Sequence, residues 1–173
     1  MFILIVIVAL VAAFLIYAAN RPDSFSTRRE TVIGAPPEKI FPLIQDFHRW
    51  ASWSPYEKRD PNMTKTFSGA AAGKGAVYEW SGNAAAGAGR MEILEADAPT
   101  KVVVDLHMLK PFEGRPQVVF ALEPEAAGTR VSWAMSGKTV FFSKVMGIFM
   151  NMDKMIGTDF EVGLASLKAL AEG

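Results

Sequence analysis

The side chains in this sequence that could transfer protons are a few scattered carboxylates. Asp153 and Asp159 lie in an amphipathic segment near the C-terminus, and Glu79 and Glu95 lie on predicted strands. Acid–base chemistry needs such groups held beside the reacting atoms, and paired-carboxylate mechanisms hold them about 5 to 10 Å apart. No spacing here fixes such a pair. Asp159, on the apolar side of its helix, is therefore the one catalytic candidate, and a hydrogen-bonded structural aspartate is the competing interpretation.

Other kinds of chemical site find little support. The chain has no Cys and only two His, His48 and His107, so thiolate sites, disulfides and a Cys nucleophile are excluded and a multi-His metal site is not expected. The Gly-rich stretch Ala70–Gly75 lacks the Lys-Ser/Thr pair of a phosphate-binding loop and is predicted to be a turn. The 18 basic residues balance 18 acidic ones, which gives no basic excess for nucleic acid. We expect no metal, no cofactor and no nucleic-acid partner.

A long amphipathic helix is predicted from Met146 to Glu172. Gly163 lies in the middle of its apolar face, although a Gly inside a helix costs roughly 1 kcal/mol. Either another group packs closely against Gly163, or the helix leaves room for a ligand there. The face as a whole contains Met152, Met155, Ile156, Phe160, Gly163, Leu167 and Leu170.

The middle of the chain alternates apolar and polar residues, which is typical of strands with one solvated face. A first strand is followed by two short helices, which begin near Ala35 and Asp46, and then by six strands. We predict an α+β fold with the order β-α-α-β6-α, in which a curved antiparallel sheet of about seven strands wraps around the C-terminal helix. The predicted strands are 26–34, 65–68, 76–81, 90–95, 101–109, 117–123 and 129–137.

The N-terminal run from Phe2 to Ala19 is uncharged and just long enough to cross a bilayer as a helix. We predict a transmembrane anchor (1–19), a linker (20–25) and a folded domain (26–173). A cleaved signal peptide is the alternative, but the positive n-region and short apolar core of such peptides are missing. Arg21, Arg28 and Arg29 follow the segment, so the positive-inside rule favours a cytoplasmic domain, with a periplasmic or extracellular domain as the alternative.

Four segments carry a resemblance to a known family: VIGAPPEKIFPLIQDFHRWASWSPYEKRDP, GAVYEWSGN with AGAGRMEI, GTRVSWAMSG, and MDKMIGTDFEVGLASLK. Over about residues 26 to 172 the chain resembles the helix-grip proteins of the START/birch-pollen-allergen/polyketide-cyclase superfamily (SRPBCC). Within that superfamily it is similar to the small bacterial polyketide cyclase/dehydrase group. The resemblance implies an apolar ligand cavity between the sheet and the long helix, but it brings no active-site signature.

The residues expected to line such a cavity point inward from the strands or the long helix. Aromatic side chains would suit a flat or polyene ligand, and Met would let the wall adapt. An ordinary packed core is the alternative, and the apolar segment 141–149 is predicted either to cap the cavity or to touch the bilayer. The ligand-binding candidates are Trp53, Tyr78, Trp80, Met91, Val104, Leu106, Phe120, Trp133, Met135, Met152, Met155, Ile156, Asp159 and Phe160.

Three functions fit these features of the sequence. We favour a membrane-tethered domain that binds or carries a small hydrophobic ligand: a lipid, an isoprenoid or an aromatic. The second is a cyclase/dehydrase-type enzyme that uses Asp159 or a Tyr hydroxyl as acid or base. The third, a protein-interaction module acting through the convex face, ranks last because that face is predicted to be simply hydrophilic.

Overall fold

A computed structural model describes residues 2–173, so the first residue of the predicted segment 1–19 lies outside it. Two 3-10 helices, Phe47–Ser52 and Pro55–Lys58, follow α2. The other elements in chain order are α1 (Phe2–Ala19), β1 (Ser24–Ile33), α2 (Pro37–Gln45), β2 (Thr64–Gly69), β3 (Ala76–Ser81), β4 (Ala88–Asp97), β5 (Lys101–Lys110), β6 (Gln117–Glu125), β7 (Gly128–Lys138), α3 (Phe141–Phe149) and α4 (Met152–Glu172).

Seven strands form one antiparallel sheet in the order β1-β7-β6-β5-β4-β3-β2. The predicted α+β helix-grip architecture is confirmed. The in/out alternation of the sequence is clearest on β6, where Val118, Phe120 and Leu122 are buried while Val119 and Ala121 between them are half-buried. The inner faces of the strands pack on α4 and on the aromatic side chains of the short helices.

Ion pairs and hydrogen bonds fix α4 along β1. Arg29 bonds to Asp153 at 3.1 Å and to Glu161 at 2.8 Å, and so spans two turns of the helix. Near the other end of β1, the Glu172 carboxylate accepts the Gly34 N–H at 2.6 Å, and the Lys168 ammonium donates to the Val32 carbonyl at 2.6 Å. The two elements therefore run side by side in the same direction.

The long C-terminal helix was predicted in one piece from Met146, and this prediction is wrong. The chain forms two helices, which are separated at Met150 and Asn151. The Asn151 side chain accepts the Lys154 N–H at 2.9 Å and so caps the start of α4. Asn is a strong N-cap residue, and this local bond competes successfully with continuing the helix.

Three smaller predictions also need correction. Met155 and Leu170 were placed on the inner face, but they are 46% and 41% exposed. The buried stripe of α4 runs through Gly157, Phe160, Leu164 and Leu167, and the two exposed residues lie outside it. The predicted linker 20–25 is shorter, because β1 already begins at Ser24 and pairs there with Lys138.

Helix α1 is apolar along its whole length and is long enough to cross a membrane, by length and composition. Its last turns contact α3. Ala18 is completely buried there, and the rings of Phe14 and Phe149 lie 6.0 Å apart. An N-terminal helix of this kind is typical of a membrane anchor or of a signal sequence.

Candidate ligand-binding site

The middle of the space between sheet and α4 is filled by aromatic rings. Trp133 of β7 stacks on Phe160 of α4 with ring centroids 4.2 Å apart. Trp53 meets Trp133 and Phe120 edge-on at 5.5 and 6.0 Å. These four rings, which we call the floor, are all at most 2% exposed.

Gly163 belongs to this packing. A Cβ at Gly163 would lie 2.6 Å from Cζ3 of Trp133 and 3.0 Å from Cδ of Pro55, distances that real Cβ atoms rarely or never show. Of the two interpretations left open above, close packing is therefore correct at this position. The Gly lets α4 approach the Trp133 ring.

Burial decreases along the inner face at one end of the domain. On β7 the buried Trp133 is followed by the half-buried Met135, and on β5 the buried Val104 is followed by the half-buried Leu106. On β3 the buried Tyr78 is followed by the half-buried Trp80. On α4 the buried Phe160 is preceded, one turn earlier, by the half-buried Ile156. We call the half-buried set Trp80, Leu106, Met135 and Ile156 the mouth.

The strand pairing places Trp80, Leu106 and Met135 at the same end of the sheet, and Ile156 lies at the start of α4, which packs beside β1. β3, β5 and β7 run in the same direction, because each is separated from the next by one antiparallel strand. β7 ends at Lys138, beside Ser24, which follows α1 after four residues. The mouth therefore lies at the end of the domain from which α1 emerges.

A polar cluster lies at the rim of the mouth. The Arg59 guanidinium donates to Asp159 at 2.5 Å and lies 4.6 Å from the ring of Tyr56. Burial, followed by the negative charge of Asp159, raises the pKa of Tyr56 well above the usual range of a phenol. Tyr56 consequently keeps its proton at physiological pH and is a hydrogen-bond donor rather than a base.

Asp159 also borders a groove of about 540 Å³ on the surface of the α3–α4 corner. The groove is open to solvent. Its lining residues are Met150, Asn151, Lys154, Met155, Thr158 and Asp159.

A second buried polar group holds Tyr78. The Tyr78 hydroxyl donates to Glu57 at 2.7 Å, and the other Glu57 oxygen pairs with Lys65. The Glu57 side chain is only 7% exposed. Burial and the adjacent Glu57 carboxylate raise the pKa of Tyr78, so this phenol also stays neutral. This network was not predicted from the sequence, since nothing in the spacing of these residues indicates it.

Two buried polar atoms in the described part of the chain have no hydrogen-bond partner: Trp133 Nε1 and Ser54 Oγ. An unsatisfied buried group costs about 1 to 3 kcal/mol. The indole nitrogen can only donate, so it needs an acceptor oxygen. Trp133 is the floor residue next to Met135 of the mouth.

The candidate ligand-binding residues fall into three groups, and their contact with a ligand stays a prediction. The exposed member, Met155, lines the α3–α4 groove. Trp80, Leu106, Met135, Met152, Ile156 and Asp159 are half-buried around the mouth. Trp53, Tyr78, Met91, Val104, Phe120, Trp133 and Phe160 are buried.

Trp53, at the end of the first 3-10 helix, could act either as a binding gate or as an aromatic plug. Its indole N–H donates to the Leu43 carbonyl at 2.9 Å, and its side chain is completely buried. Trp50 is 4% exposed and donates to the Ile44 carbonyl. Both are plug residues that attach α2 and the first 3-10 helix to the sheet.

The four acid/base candidates are not brought together. Asp153 pairs with Arg29, Glu95 with Lys101 and Asp159 with Arg59, while Glu79 is exposed on β3. Within residues 2–173, no group of three or more His, Asp or Glu side chains could hold a metal ion. The arrangement offers an apolar mouth with one polar rim rather than a paired-carboxylate centre.

Comparison with known proteins gives a family match over most of the chain. The family described as polyketide cyclase / dehydrase and lipid transport matches residues 24–172. No curated protein matches the chain in sequence.

Solved structures share the fold at low identity. Protein CV1439 from Chromobacterium violaceum is 18% identical with a TM-score of 0.61, over 88% of this chain and 99% of that one. The Aha1 protein from Colwellia psychrerythraea, solved as a dimer in solution, is 20% identical with a TM-score of 0.61, over 86% and 96%. DynU16, from the dynemicin biosynthetic locus, is 16% identical with a TM-score of 0.59, over 87% of this chain and 48% of that one.

Proposed function

Because the chain belongs to the polyketide cyclase/dehydrase and lipid transport family, we propose that it is a membrane-tethered domain that binds a small hydrophobic ligand at the mouth. The ligand is a lipid, an isoprenoid or an aromatic compound. Helix α1 is the tether, and the positive-inside rule favours a cytoplasmic domain.

One observation carries the proposal: apolar side chains on three strands and on α4 all lose burial at the same end of the grip. Leu106, Met135 and Ile156 stay partly exposed there, although each further buried CH₂ would contribute about 0.8 kcal/mol. A ligand that covers them recovers this free energy, less the cost of its immobilisation.

The polar atoms near the mouth indicate which polar group the ligand carries. The Trp133 Nε1 donor has no partner, whereas the neutral Tyr56 hydroxyl already bonds to Asp159. A long apolar body with one acceptor oxygen, such as a carbonyl or carboxyl, would satisfy the Trp133 donor. The Arg59 guanidinium at the rim favours a partly negative group in the same place.

The test is native mass spectrometry on the full chain in mild detergent, after incubation with cis-parinaric acid, a polyene fatty acid. We expect one bound probe or one co-purified lipid per chain. Ile156→Trp fills the mouth and should lower the bound fraction at least tenfold, while circular dichroism shows an intact fold.

The matched control is Leu170→Trp, the same kind of change at an exposed position on the same helix. It should leave binding unchanged. The proposal fails if the wild type binds no probe and no lipid. It also fails if both Trp variants bind as well as the wild type, because the probe would then lie outside the mouth.

A cyclase/dehydrase-type enzyme is the second candidate, and the Tyr56–Arg59–Asp159 cluster is the observation that favours it. Tyr56 holds its proton, which bonds to Asp159, and so it cannot serve as a base. Arg59 already occupies one Asp159 oxygen. Binding is therefore the role that the cluster supports better.

A further inference from the structure

The contacts between α1 and α3 are specific. Lys144 of α3 is 8% exposed; it donates to the Ala19 carbonyl at 3.1 Å and pairs with Asp23. It thereby supplies the positive charge that the last turn of α1 lacks. In return, Arg21 donates to the Gly147 carbonyl of α3 at 3.4 Å. These bonds hold α3 against the end of α1.

The same contacts indicate how deep α3 lies relative to α1. Lys144 meets Ala19 at the end of α1, and five residues further along α3, Phe149 meets Phe14, five residues back along α1. Five helical residues span about 7.5 Å. If Ala19 lies at the membrane surface, Phe149 lies at about that depth. Interfacial amphipathic helices bury their apolar face about 5 to 10 Å deep, at the boundary between headgroups and acyl chains.

The apolar side of α3 and the residue after it are open. Phe141 is 50% exposed and Phe149 is 73% exposed, and Met150 continues the surface. Phe149, the most exposed of these, is the residue that contacts Phe14 of α1. The apolar surface of α3 is thus continuous with the apolar surface of α1.

We propose that α3 is a second membrane contact: its open apolar end, Phe149 and Met150, enters the interfacial layer of the bilayer beside α1. The occupant of this surface is lipid. Since α4 begins two residues after α3, the mouth and the α3–α4 groove face the membrane surface from which an apolar ligand would enter. This inference rests on the tether proposed above, not on the ligand.

The absence of native Cys allows a direct test on the full chain. Phe149→Cys, Val8→Cys and Val162→Cys are each labelled with nitrobenzoxadiazole and reconstituted in phosphatidylcholine/phosphatidylglycerol vesicles that contain doxyl-labelled lipid. Val8 lies within α1. Val162 is an exposed apolar residue of α4 that is 51% in water, and it controls for insertion of the dye itself.

We expect doxyl lipids to quench the Phe149 label at about half of the Val8 value or more, because it sits in the interfacial layer. The Val162 label should stay unquenched. Quenching at Val8 with none at Phe149 overturns the inference and leaves the tether intact. No quenching at either position overturns both. Neither result bears on probe binding, which the mass-spectrometry experiment measures separately.

Discussion

The two ends of the grip differ in burial although they are built from the same strands. At the closed end, away from α1, the inner residues Ile33, Val102, Leu122, Val131 and Leu167 are at most 2% exposed. At the mouth, the equivalent inner positions Leu106, Met135 and Ile156 are half-buried.

The closed end and the mouth therefore contribute differently to the free energy of folding. Fully burying an aliphatic side chain stabilises a protein by about 1.5 to 3 kcal/mol, so the closed end and the floor stabilise the fold. The mouth can then be left open at a modest loss of folding free energy. Its side chains are free to contact something other than the protein.

The strongest test of this comparison exchanges one aliphatic side chain at each end of α4. Leu167→Ala should lower the free energy of unfolding by about 2 to 5 kcal/mol, because it leaves a cavity in a filled core. Ile156→Ala should lower it by about 1 kcal/mol or less, because part of its surface is already in water. Urea unfolding of both variants in mild detergent measures this. Equal losses would mean that the mouth is as tightly packed as the closed end.

The second test overfills the floor. In Gly163→Ala the new methyl group must displace Trp133 or Pro55, so we expect a loss of about 1 to 3 kcal/mol despite the better helix propensity. Gly147→Ala on α3 is the matched control. A Cβ there has no neighbour within 4 Å, so this change should be neutral or stabilise by up to about 1 kcal/mol. If Gly163→Ala causes no loss of stability, the floor side chains can move aside, and a ligand could then bind deeper in the domain.

The third test concerns the rim. Asp159→Asn removes the charge that pairs with Arg59, and since the two side chains are 26% and 38% exposed, the expected loss is about 1 kcal/mol or less. Probe binding should persist. Asp105→Asn, which breaks the Arg115 pair on the outer strand face, is the control. If turnover of a cyclisable substrate were found and Asp159→Asn alone abolished it, the enzyme hypothesis would replace binding.

The smallest expected effect is on pH dependence. Hydrogen bonds from Arg29 lower the pKa of Asp153 below its usual range, and Lys168 with the Gly34 N–H does the same for Glu172. Groups whose pKa is lowered by folding stabilise the protein above their usual pKa and lose that contribution as the pH falls below about 4. We expect the melting temperature to fall in this acid range.

Arg29→Met keeps an unbranched side chain but removes the guanidinium, which lies on Gly157 and pairs with Asp153 and Glu161, so the melting temperature should depend less on acid pH. Arg28→Met, at the exposed Arg28–Glu30 pair, should keep the wild-type dependence. If the two variants give the same curve, the Arg29 pairs do not hold α4 on β1 in solution.

Much of the fold could be predicted from the sequence because it depends on local periodicity. The alternation from Lys101 to Leu109 already separates inner from outer residues. The end of α3 could not be predicted from periodicity, because Met150 and Met152 continue the apolar pattern through the break. Only the capping bond of Asn151 ends it.

The site could be predicted less well, because it depends on contacts between distant residues. Gly163 indicated an unusual approach to the helix, and close packing was one of the two explanations that its position allowed. Arg59, Tyr56 and Glu57 were not predicted as site residues. They lie in a short 3-10 helix or next to it, and their partners Asp159 and Tyr78 are 100 and 21 residues away. Periodicity contains no information about such pairs.

The segment between α1 and β1 has only four residues, from Asn20 to Asp23, and two of them are bonded to α3. Fully extended, four residues span about 14 Å, which is less than half the thickness of a bilayer. If α1 is the tether proposed above, so short a connection prevents the domain from carrying a ligand between two membranes. A domain held in this way would bind its ligand at one bilayer, and a ligand that travels further must be transferred to a diffusible acceptor.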